Sequence, residues 1–371
     1  MRINVITRHA PANYGSLLQA IATQKLLQRF DYDCRIIDYI PEGETGVKVA
    51  FTQVKEKSNW NKNFLKKAAY ILSREPEYIV MHHKFLQMRK KYLKMTERCK
   101  SREELEKKFG KSNDIFVTGS DQVWGPVSNG KIDMAYFLNF LPDDATRVAF
   151  ASSFGKANYD KDSINEIKDK LKLYKNIAVR EDRAVELIQE MGIEAKQVLD
   201  PTLLITAKEW SKYISKAPKI KKYVLIYQIH NDSNLNKYAK EYAQKAKLPL
   251  LRVSPLFHQI GRGGKFVWLP NLDEFLSLIK NADCLITDSF HGTAFALNFN
   301  TQFIEILPKT GTSSRNQSIL KLTKLENRIV NNFDDFRYID EKIDFAQVNK
   351  ILEEKRIESL DYLENILNNE E

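Results

Sequence analysis

Polar side chains and glycines that could do chemistry follow four of the apolar runs in this 371-residue sequence. The most informative stretch is DCLITDSFHGTAFALNF, in which Asp288, Ser289 and His291 stand between an apolar run and a helical pattern of small apolar residues. Histidine titrates near neutral pH and can give or take a proton. His291 is therefore the first candidate for proton transfer, and a purely structural histidine is the alternative.

A second stretch, IFVTGSDQVWG, brings a carboxylate to the end of another apolar run. Gly119 and Ser120 would expose backbone donors there, and Asp121 could orient a hydroxyl or act as a base. Gln122 and Trp124 follow directly. The alternative is that Asp121 only caps a following helix.

Two more stretches hold candidates for binding an anion. In NYGSLLQA, residues 13–16 lie where a strand pattern passes into a helix, whose first N–H groups attract negative charge. No standard phosphate-loop spacing is present there, and a turn with a polar cap also fits. In NIAVRED, Arg180 suits bidentate capture of a carboxylate or phosphate, and pairing with Glu181 or Asp182 is the alternative.

The elements that must position these residues alternate between short β-branched runs and helical stripes. Such alternation predicts parallel sheets with helices on both faces, and ligands of such sheets collect at the carboxyl ends of the strands. The chain is longer than a single hydrophobic core usually accommodates, and the Asp200-Pro201 step indicates a break between two domains. The sequence therefore predicts an α/β protein with two Rossmann-like doubly wound domains, 1–203 and 204–371, of which the second ends in a helix.

Composition excludes several classes of protein. Hydrophobic residues make up 43% and charged residues 29% of the chain, as in ordinary globular proteins. The three scattered cysteines argue against a disulfide framework. The sequence contains neither C-x-x-C nor H-x-x-x-H spacing, so it does not indicate a metal site. No apolar stretch is long enough to span a membrane, and none has the form of a secretion signal. We therefore expect a cytoplasmic protein without a bound metal.

Positive charge is concentrated in residues 48–111, a predicted helical insertion in the first domain with 18 Lys and Arg against 7 Asp and Glu. Such a block suggests lipid headgroups or nucleic acid as a partner, but no nucleic-acid-binding signature accompanies it. Lysines stand there beside an apolar stripe at helical spacing, formed by Trp60, Phe64, Leu65, Ala68, Ile71 and Leu72. The pattern predicts either peripheral contact with the anionic inner face of a membrane or a stripe packed on the domain.

Taken in order, six stretches resemble the polysaccharide pyruvyl transferase family: NYGSLLQA, VTGSDQVWG, YFLNFLPDDATRVAFASSFG, AVRED, VLDPTLLI and ITDSFHGTAFALNF, with SSRNQSIL after them. The resemblance covers residues 1–327 and implies a GT-B-like fold, with two Rossmann-like domains facing a cleft. It implies transfer of pyruvate from phosphoenolpyruvate to two hydroxyls of one sugar, forming a cyclic ketal on a cell-surface polysaccharide or its lipid-linked precursor. Phosphoenolpyruvate would be a co-substrate, and no cofactor would be needed.

The resemblance also implies roles for individual residues. His291 would transfer a proton, and Asp121 would contact the acceptor sugar or act as the second acid/base group. The residues implied to bind the donor or another anion are Arg180, Arg315, Asn13, Tyr14, Gly15, Ser16, Ser289 and Gly292. The residues implied to contact the acceptor are Gly119, Ser120, Gln122 and Trp124.

One difference from the family bears on the donor. Some pyruvyl transferases carry Arg-Leu before this histidine, where the present chain has Ser289-Phe290. Either other positive groups bind the donor or the donor differs. Two alternatives therefore stay open, a GT-B-type glycosyltransferase that uses a nucleotide sugar and a non-catalytic glycan-binding relative.

Overall fold

A computed structural model describes residues 2–40, 49–57, 59–127, 130–155, 159–308 and 313–368. The chain forms two compact units, here called unit 1 (Met1–Val198 with Leu363–Glu371) and unit 2 (Leu199–Tyr362). Lys48, the first residue of the predicted basic insertion, lies outside the described residues.

Unit 1 contains a parallel six-stranded sheet with the strand order β2-β1-β3-β4-β5-β6. The strands are β1 Arg2–Ile6, β2 Asp33–Ile36, β3 Ile115–Thr118, β4 Arg147–Ser152, β5 Asn176–Val179 and β6 Lys196–Gln197. β3 and β4 are buried along their whole length. Burial of this kind is expected for central strands of a parallel sheet, because crossover helices cover both faces.

The helices described in unit 1 are α1 Tyr14–Gln28, α2 Val49–Glu56, α3 Phe64–Tyr92, α4 Arg102–Phe109, α5 Lys161–Leu171 and α6 Asp182–Glu190. Asn13 caps α1, since its side-chain Oδ1 accepts a hydrogen bond from the Gly15 backbone N–H at 2.7 Å. Nearly every residue of α1 is buried, so its first turn is fixed against the sheet.

Unit 2 contains a parallel five-stranded sheet with the strand order β11-β10-β7-β8-β9. The strands are β7 Val224–Tyr227, β8 Leu250–Ser254, β9 Lys265–Trp268, β10 Cys284–Thr287 and β11 Phe303–Glu305. The helices are α7 Pro201–Leu204, α8 Ala207–Ser211, α9 Ser233–Lys245, α10 Leu272–Lys280, α11 Phe290–Phe299, α12 Ser314–Leu322 and α13 Phe345–Asn368. The predicted fold class of two parallel α/β sheets with a C-terminal helix is confirmed.

Each sheet has one point where the winding reverses. In unit 1 the chain passes from β1 outward to β2, then returns to β3 on the other side of β1. In unit 2 it passes from β7 to β8 and β9, then returns to β10 on the other side of β7. Loops diverge at such a switch point and leave a crevice at the carboxyl ends of the strands. The loops after β1, β3, β7 and β10 are therefore where each unit would bind a ligand.

No helix among the residues described combines the length and apolar character needed to cross a bilayer.

Candidate active site

The loop after β10 is tied to the loop after β7 by one buried carboxylate. Asp288 Oδ1 accepts a hydrogen bond from the backbone N–H of Ile229 at 2.7 Å, and its Oδ2 accepts one from the backbone N–H of His230 at 2.8 Å. Two backbone donors just after the end of β7 are thereby satisfied. Asp288 fixes the relative position of the two loops at the switch point of unit 2.

The next residues start α11. Ser289 caps the helix, because its Oγ accepts a hydrogen bond from the Gly292 N–H at 3.3 Å. A Cβ atom on Gly292 would lie 2.5 Å from Thr287 Oγ1, so only glycine fits there without displacement of the strand end. These contacts place His291 in the first turn of α11, at the carboxyl end of β10.

His291 has a carboxylate beside it. Its Nε2 lies 3.9 Å from Asp200 Oδ2, and the Asp200 side chain is fully buried. The other oxygen of Asp200 accepts hydrogen bonds from the Thr202 N–H at 2.9 Å and the Thr202 hydroxyl at 2.6 Å. A carboxylate held in this way orients an imidazole and stabilises its protonated form. In the sequence Asp200 indicates only a chain break before Pro201, although it lies in the VLDPTLLI stretch.

A second histidine lies at the same strand ends. His230 Nδ1 is 3.3 Å from Asp288 Oδ2, and the His230 side chain is 31% exposed. No motif surrounds His230 in the sequence, so the sequence alone does not indicate a role for it. Its proximity to Asp288 arises from the pairing of β7 with β10, which are not consecutive along the chain.

Another buried carboxyl group, that of Glu305, contacts both α11 and α12. Glu305, at the end of β11, accepts hydrogen bonds from the Thr293 hydroxyl and from Asn316 Nδ2, the latter at 2.6 Å. Burial raises the pKa of Glu305 to about 8, although the two hydrogen bonds lower it. Asn316 follows Arg315 in the first turn of α12, and Arg315 is 8% exposed. Glu305 therefore connects the helix that carries His291 to the helix that carries Arg315.

In unit 1 the loops after β1 and β3 also meet. Ser16 Oγ donates a hydrogen bond of 2.7 Å to Asp121 Oδ2, and the Gln122 N–H donates one of 2.9 Å to Asp121 Oδ1. Asp121 has a φ of +76°, which is uncommon for a residue other than glycine. Residues 122–125 form turns and bends, so Asp121 does not cap a following helix. The strand-end positions predicted from the sequence thus place Ser16 and Asp121 in contact.

Arg180 joins the same group. Its Nη2 lies 3.7 Å from Asp121 Oδ1, and its Nε lies 3.5 Å from Glu181 Oε2, with only 1% of the side chain exposed. Glu181 Oε1 accepts a hydrogen bond of 2.6 Å from Ser153 Oγ. The predicted pairing with Glu181 is therefore present, and the guanidinium lies close to two carboxylates. The Arg180 guanidinium therefore forms ion pairs with two carboxylates of its own unit.

A family model described as polysaccharide pyruvyl transferase matches residues 13–307. The chain belongs to the polysaccharide pyruvyl transferase family. It is accordingly a transferase, and the resemblance drawn from the sequence motifs is confirmed. The family implies a donor and a polysaccharide acceptor. No curated protein matches the chain significantly.

Several solved structures resemble this pyruvyl transferase family member in fold. The UDP-GlcNAc 2-epimerase of Methanocaldococcus jannaschii, in complex with UDP-GlcNAc and UDP, gives a TM-score of 0.52 at 14% identity, covering 99% of each chain. S. aureus MnaA with UDP gives 0.51 at 10% identity, covering 97% of this chain and 90% of that one. A Thermobaculum terrenum O-GlcNAc transferase mutant gives 0.48 at 10% identity, and this chain spans 66% of its length. At these identities the two matches with TM-scores above 0.5 concern the fold alone, which is the GT-B-like fold predicted from the sequence.

Two of the aromatic residues that the resemblance had suggested for ligand contact lie inside unit 1. The Tyr14 side chain is buried and packs on Phe85, with 5.1 Å between ring centroids. Trp124 is fully buried and stacks on Phe137 at 5.5 Å. Both rings belong to the interior of the unit, and this position does not support a contact between Trp124 and an acceptor.

The small residues of the unit 1 loops also have packing roles. A Cβ atom on Gly119 would lie 3.0 Å from Val5 Cγ1, so the absence of a side chain lets the loop pass close to β1. The carbonyl of Ser120 accepts a hydrogen bond from the Thr7 hydroxyl at 2.7 Å. Within the described residues, no group of three or more His, Cys, Asp or Glu side chains is placed to hold a metal ion.

Proposed function

We propose that this protein transfers pyruvate from phosphoenolpyruvate to two hydroxyls of one sugar, in a polysaccharide or its lipid-linked precursor, with release of phosphate. The observation that supports the proposal most is the pyruvyl transferase family match, which includes the segment with His291. The environment of that histidine suits the chemistry, because it lies at a strand end beside a buried carboxylate.

In the proposed reaction the methylene carbon of the donor gains a proton and becomes the methyl group of the ketal. The adjacent carbon forms bonds to two sugar oxygens, and its bond to the phosphate oxygen breaks. Of the two hydroxyl protons, one restores the acid and the other leaves with phosphate. The reaction thus needs one general acid, a base for the attacking hydroxyl, and donors for two anionic groups.

We assign the acid to His291. Asp200 lies 3.9 Å from its Nε2, and this negative charge stabilises the imidazolium that gives up the proton. Asp200 does not touch the reacting atoms in this proposal and serves as a positioning residue. Asp121 is proposed to receive the hydroxyl proton or to bind the acceptor sugar, and Ser16 holds one of its oxygens at 2.7 Å.

The anionic groups of the donor need positive partners. We place them on Arg315, at the start of α12, and on the N–H groups at the start of α11, where the helix dipole is positive. Gly292 and Ser289 shape that helix start. Arg180 is a weaker candidate than the resemblance implies, because Asp121 and Glu181 already neutralise its guanidinium.

Incubation of the purified protein with phosphoenolpyruvate and a panel of glycan acceptors tests the proposal. Phosphate release together with an acceptor whose mass rises by one pyruvate ketal supports it. Release of a nucleotide from a nucleotide sugar, with a sugar added to the acceptor, would indicate the glycosyltransferase alternative instead. Binding of the glycan without turnover of either donor would indicate a non-catalytic relative. We also propose that no cofactor is needed, so chelator-treated protein should keep its activity.

A further inference from the structure

One part of unit 1 exposes an unusual amount of apolar surface. The α2–α3 surface, defined as residues 49–80 without the undescribed residue 58, comprises α2, the turn after it and the first half of α3. Of the ten large hydrophobic side chains that are exposed in the described parts of the chain, six lie here. They are Phe51 (45% exposed), Trp60 (45%), Phe64 (82%), Leu65 (78%), Leu72 (76%) and Val80 (44%).

The exposure has a geometric cause. Between α2 and α3 there is a small core, in which Ala50, Val54 and Tyr70 are buried and Ile71 packs against them. Residues seven apart lie on one side of a helix, so Leu65 and Leu72 share a stripe that points away from that core. The apolar stripe predicted from the sequence therefore divides, with Ile71 turned inward and Phe64, Leu65 and Leu72 turned outward.

The charge of the α2–α3 surface is mainly positive. Residues 49–80 contain six Lys and Arg against three acidic residues, of which Glu75 accepts a hydrogen bond from the Ala50 N–H and Glu77 lies 3.5 Å from Arg74. Lys62 and Lys66 are exposed next to Phe64 and Leu65 in the chain, and Lys67 is half-buried. A basic rim around exposed leucine, phenylalanine and tryptophan is the pattern of helices that lie in a membrane interface. Lysine is depleted at protein–protein interfaces, so the same surface fits a protein partner less well.

We propose that the α2–α3 surface docks on an anionic lipid bilayer, with Phe64, Leu65 and Leu72 entering the boundary between headgroups and acyl chains. Lys62, Lys66 and Lys67 then bind lipid phosphates. Long lysine side chains can keep their charged ends at the headgroups while the stems lie along the apolar boundary. The docking goes beyond the proposed reaction and would hold the protein at the surface where a lipid-carried acceptor is found.

Flotation of the full chain with vesicles tests the docking, and the measurement uses neither donor nor acceptor. We expect binding to vesicles of phosphatidylcholine with phosphatidylglycerol, little binding to phosphatidylcholine alone, and release by salt as the charges are screened. Lys62→Glu, Lys66→Glu and Lys67→Glu together should weaken binding by more than about tenfold. Phe64→Ser with Leu65→Ser and Leu72→Ser should weaken it at every salt concentration, and both variants should keep the circular dichroism of the parent.

The matched control reverses three exposed lysines of unit 2, Lys221, Lys222 and Lys240, to glutamate. It changes the net charge equally and should leave flotation unchanged. Equal loss in the control and in the α2–α3 variant would overturn the proposal, because only the total charge would then matter. Absence of flotation in the parent would overturn it too. So would a parent dimer in sedimentation that the serine variant converts to monomer without any flotation of the parent, since a second copy would then be the occupant.

Discussion

The switch points of the two sheets have the same topology but hold their carboxylates by different means. In unit 1, Asp121 and Glu181 accept hydrogen bonds from hydroxyl and backbone N–H donors, and the Arg180 guanidinium adds a positive charge 3.7 Å from the first and 3.5 Å from the second. In unit 2, Asp288 and Glu305 are held by backbone N–H, hydroxyl and amide donors. The contrast is that an arginine balances the carboxylates of unit 1, whereas neutral donors hold the carboxyl groups of unit 2. In the proposed reaction the general acid, His291, accordingly belongs to unit 2, while Asp121 of unit 1 stays the candidate for the base or the acceptor contact.

The largest effect is expected from a substitution that breaks the charge network of unit 1. Arg180→Ala leaves two buried carboxylates without their cation, and we expect the free energy of unfolding to fall by about 3–5 kcal/mol. Urea denaturation measures it. The control is Arg183→Ala, which removes an arginine paired with Glu186 and Glu190 at the surface and should cost less than about 1 kcal/mol. If Arg180→Lys keeps full stability but raises the KM for phosphoenolpyruvate, Arg180 binds the donor and the contrast between the units fails.

The second effect concerns the proton donor of unit 2. His291→Ala should lower turnover by about 100-fold or more, because general acid catalysis is lost while the fold is kept. His291→Gln should be as slow, since glutamine can form a hydrogen bond but cannot donate a proton to carbon. His83→Ala, an exposed histidine of α3, is the control and should retain full turnover. Parent-like rates in the His291 variants would remove this residue from the mechanism.

The third effect sharpens the role of the carboxylate beside His291. Asp200→Asn should lower turnover by about tenfold or more with little change in the KM for the donor, because the imidazole loses its charged partner. It should also shift the alkaline limb of the pH–rate profile to lower pH, because a less stabilised imidazolium loses its proton at lower pH. A variant with an unchanged pH profile would show that Asp200 only supports the local backbone through Thr202.

The smallest effect on activity is expected at Glu305, whose pKa burial raises from 4.5 to about 8. Below pH 4.5 the folded and unfolded chains both hold this proton. Between pH 4.5 and about 8 the unfolded chain loses it while the folded chain keeps it, so rising pH lowers the free energy of unfolding. Glu305→Gln should remove this part of the pH dependence and change turnover little. A variant whose stability follows the same pH slope as the parent would contradict a protonated Glu305.

Strand ends and motifs could be located from the sequence because apolar runs, chain-break residues and family stretches are local signals. Contacts between residues that lie far apart in the chain could not be located in this way. His230 lies beside Asp288 only because β7 pairs with β10, and nothing in the local sequence specifies that pairing. Periodicity likewise gave the stripe of α3 but not its direction, so Ile71 and Leu72 end on different sides. The strand β9, KFVW, was not predicted, and its pattern is weak because its residues are only half-buried or exposed.

In the reaction that we propose, this transferase protonates the methylene carbon of phosphoenolpyruvate and forms a ketal on a sugar. The most direct measurement is the reaction in D₂O with an accepted glycan, followed by mass spectrometry and NMR of the product methyl group. Because the acid exchanges its proton with solvent, the account predicts a ketal whose methyl group carries one deuterium from solvent. A product without a ketal, or a ketal whose methyl group contains no solvent deuterium, would contradict it.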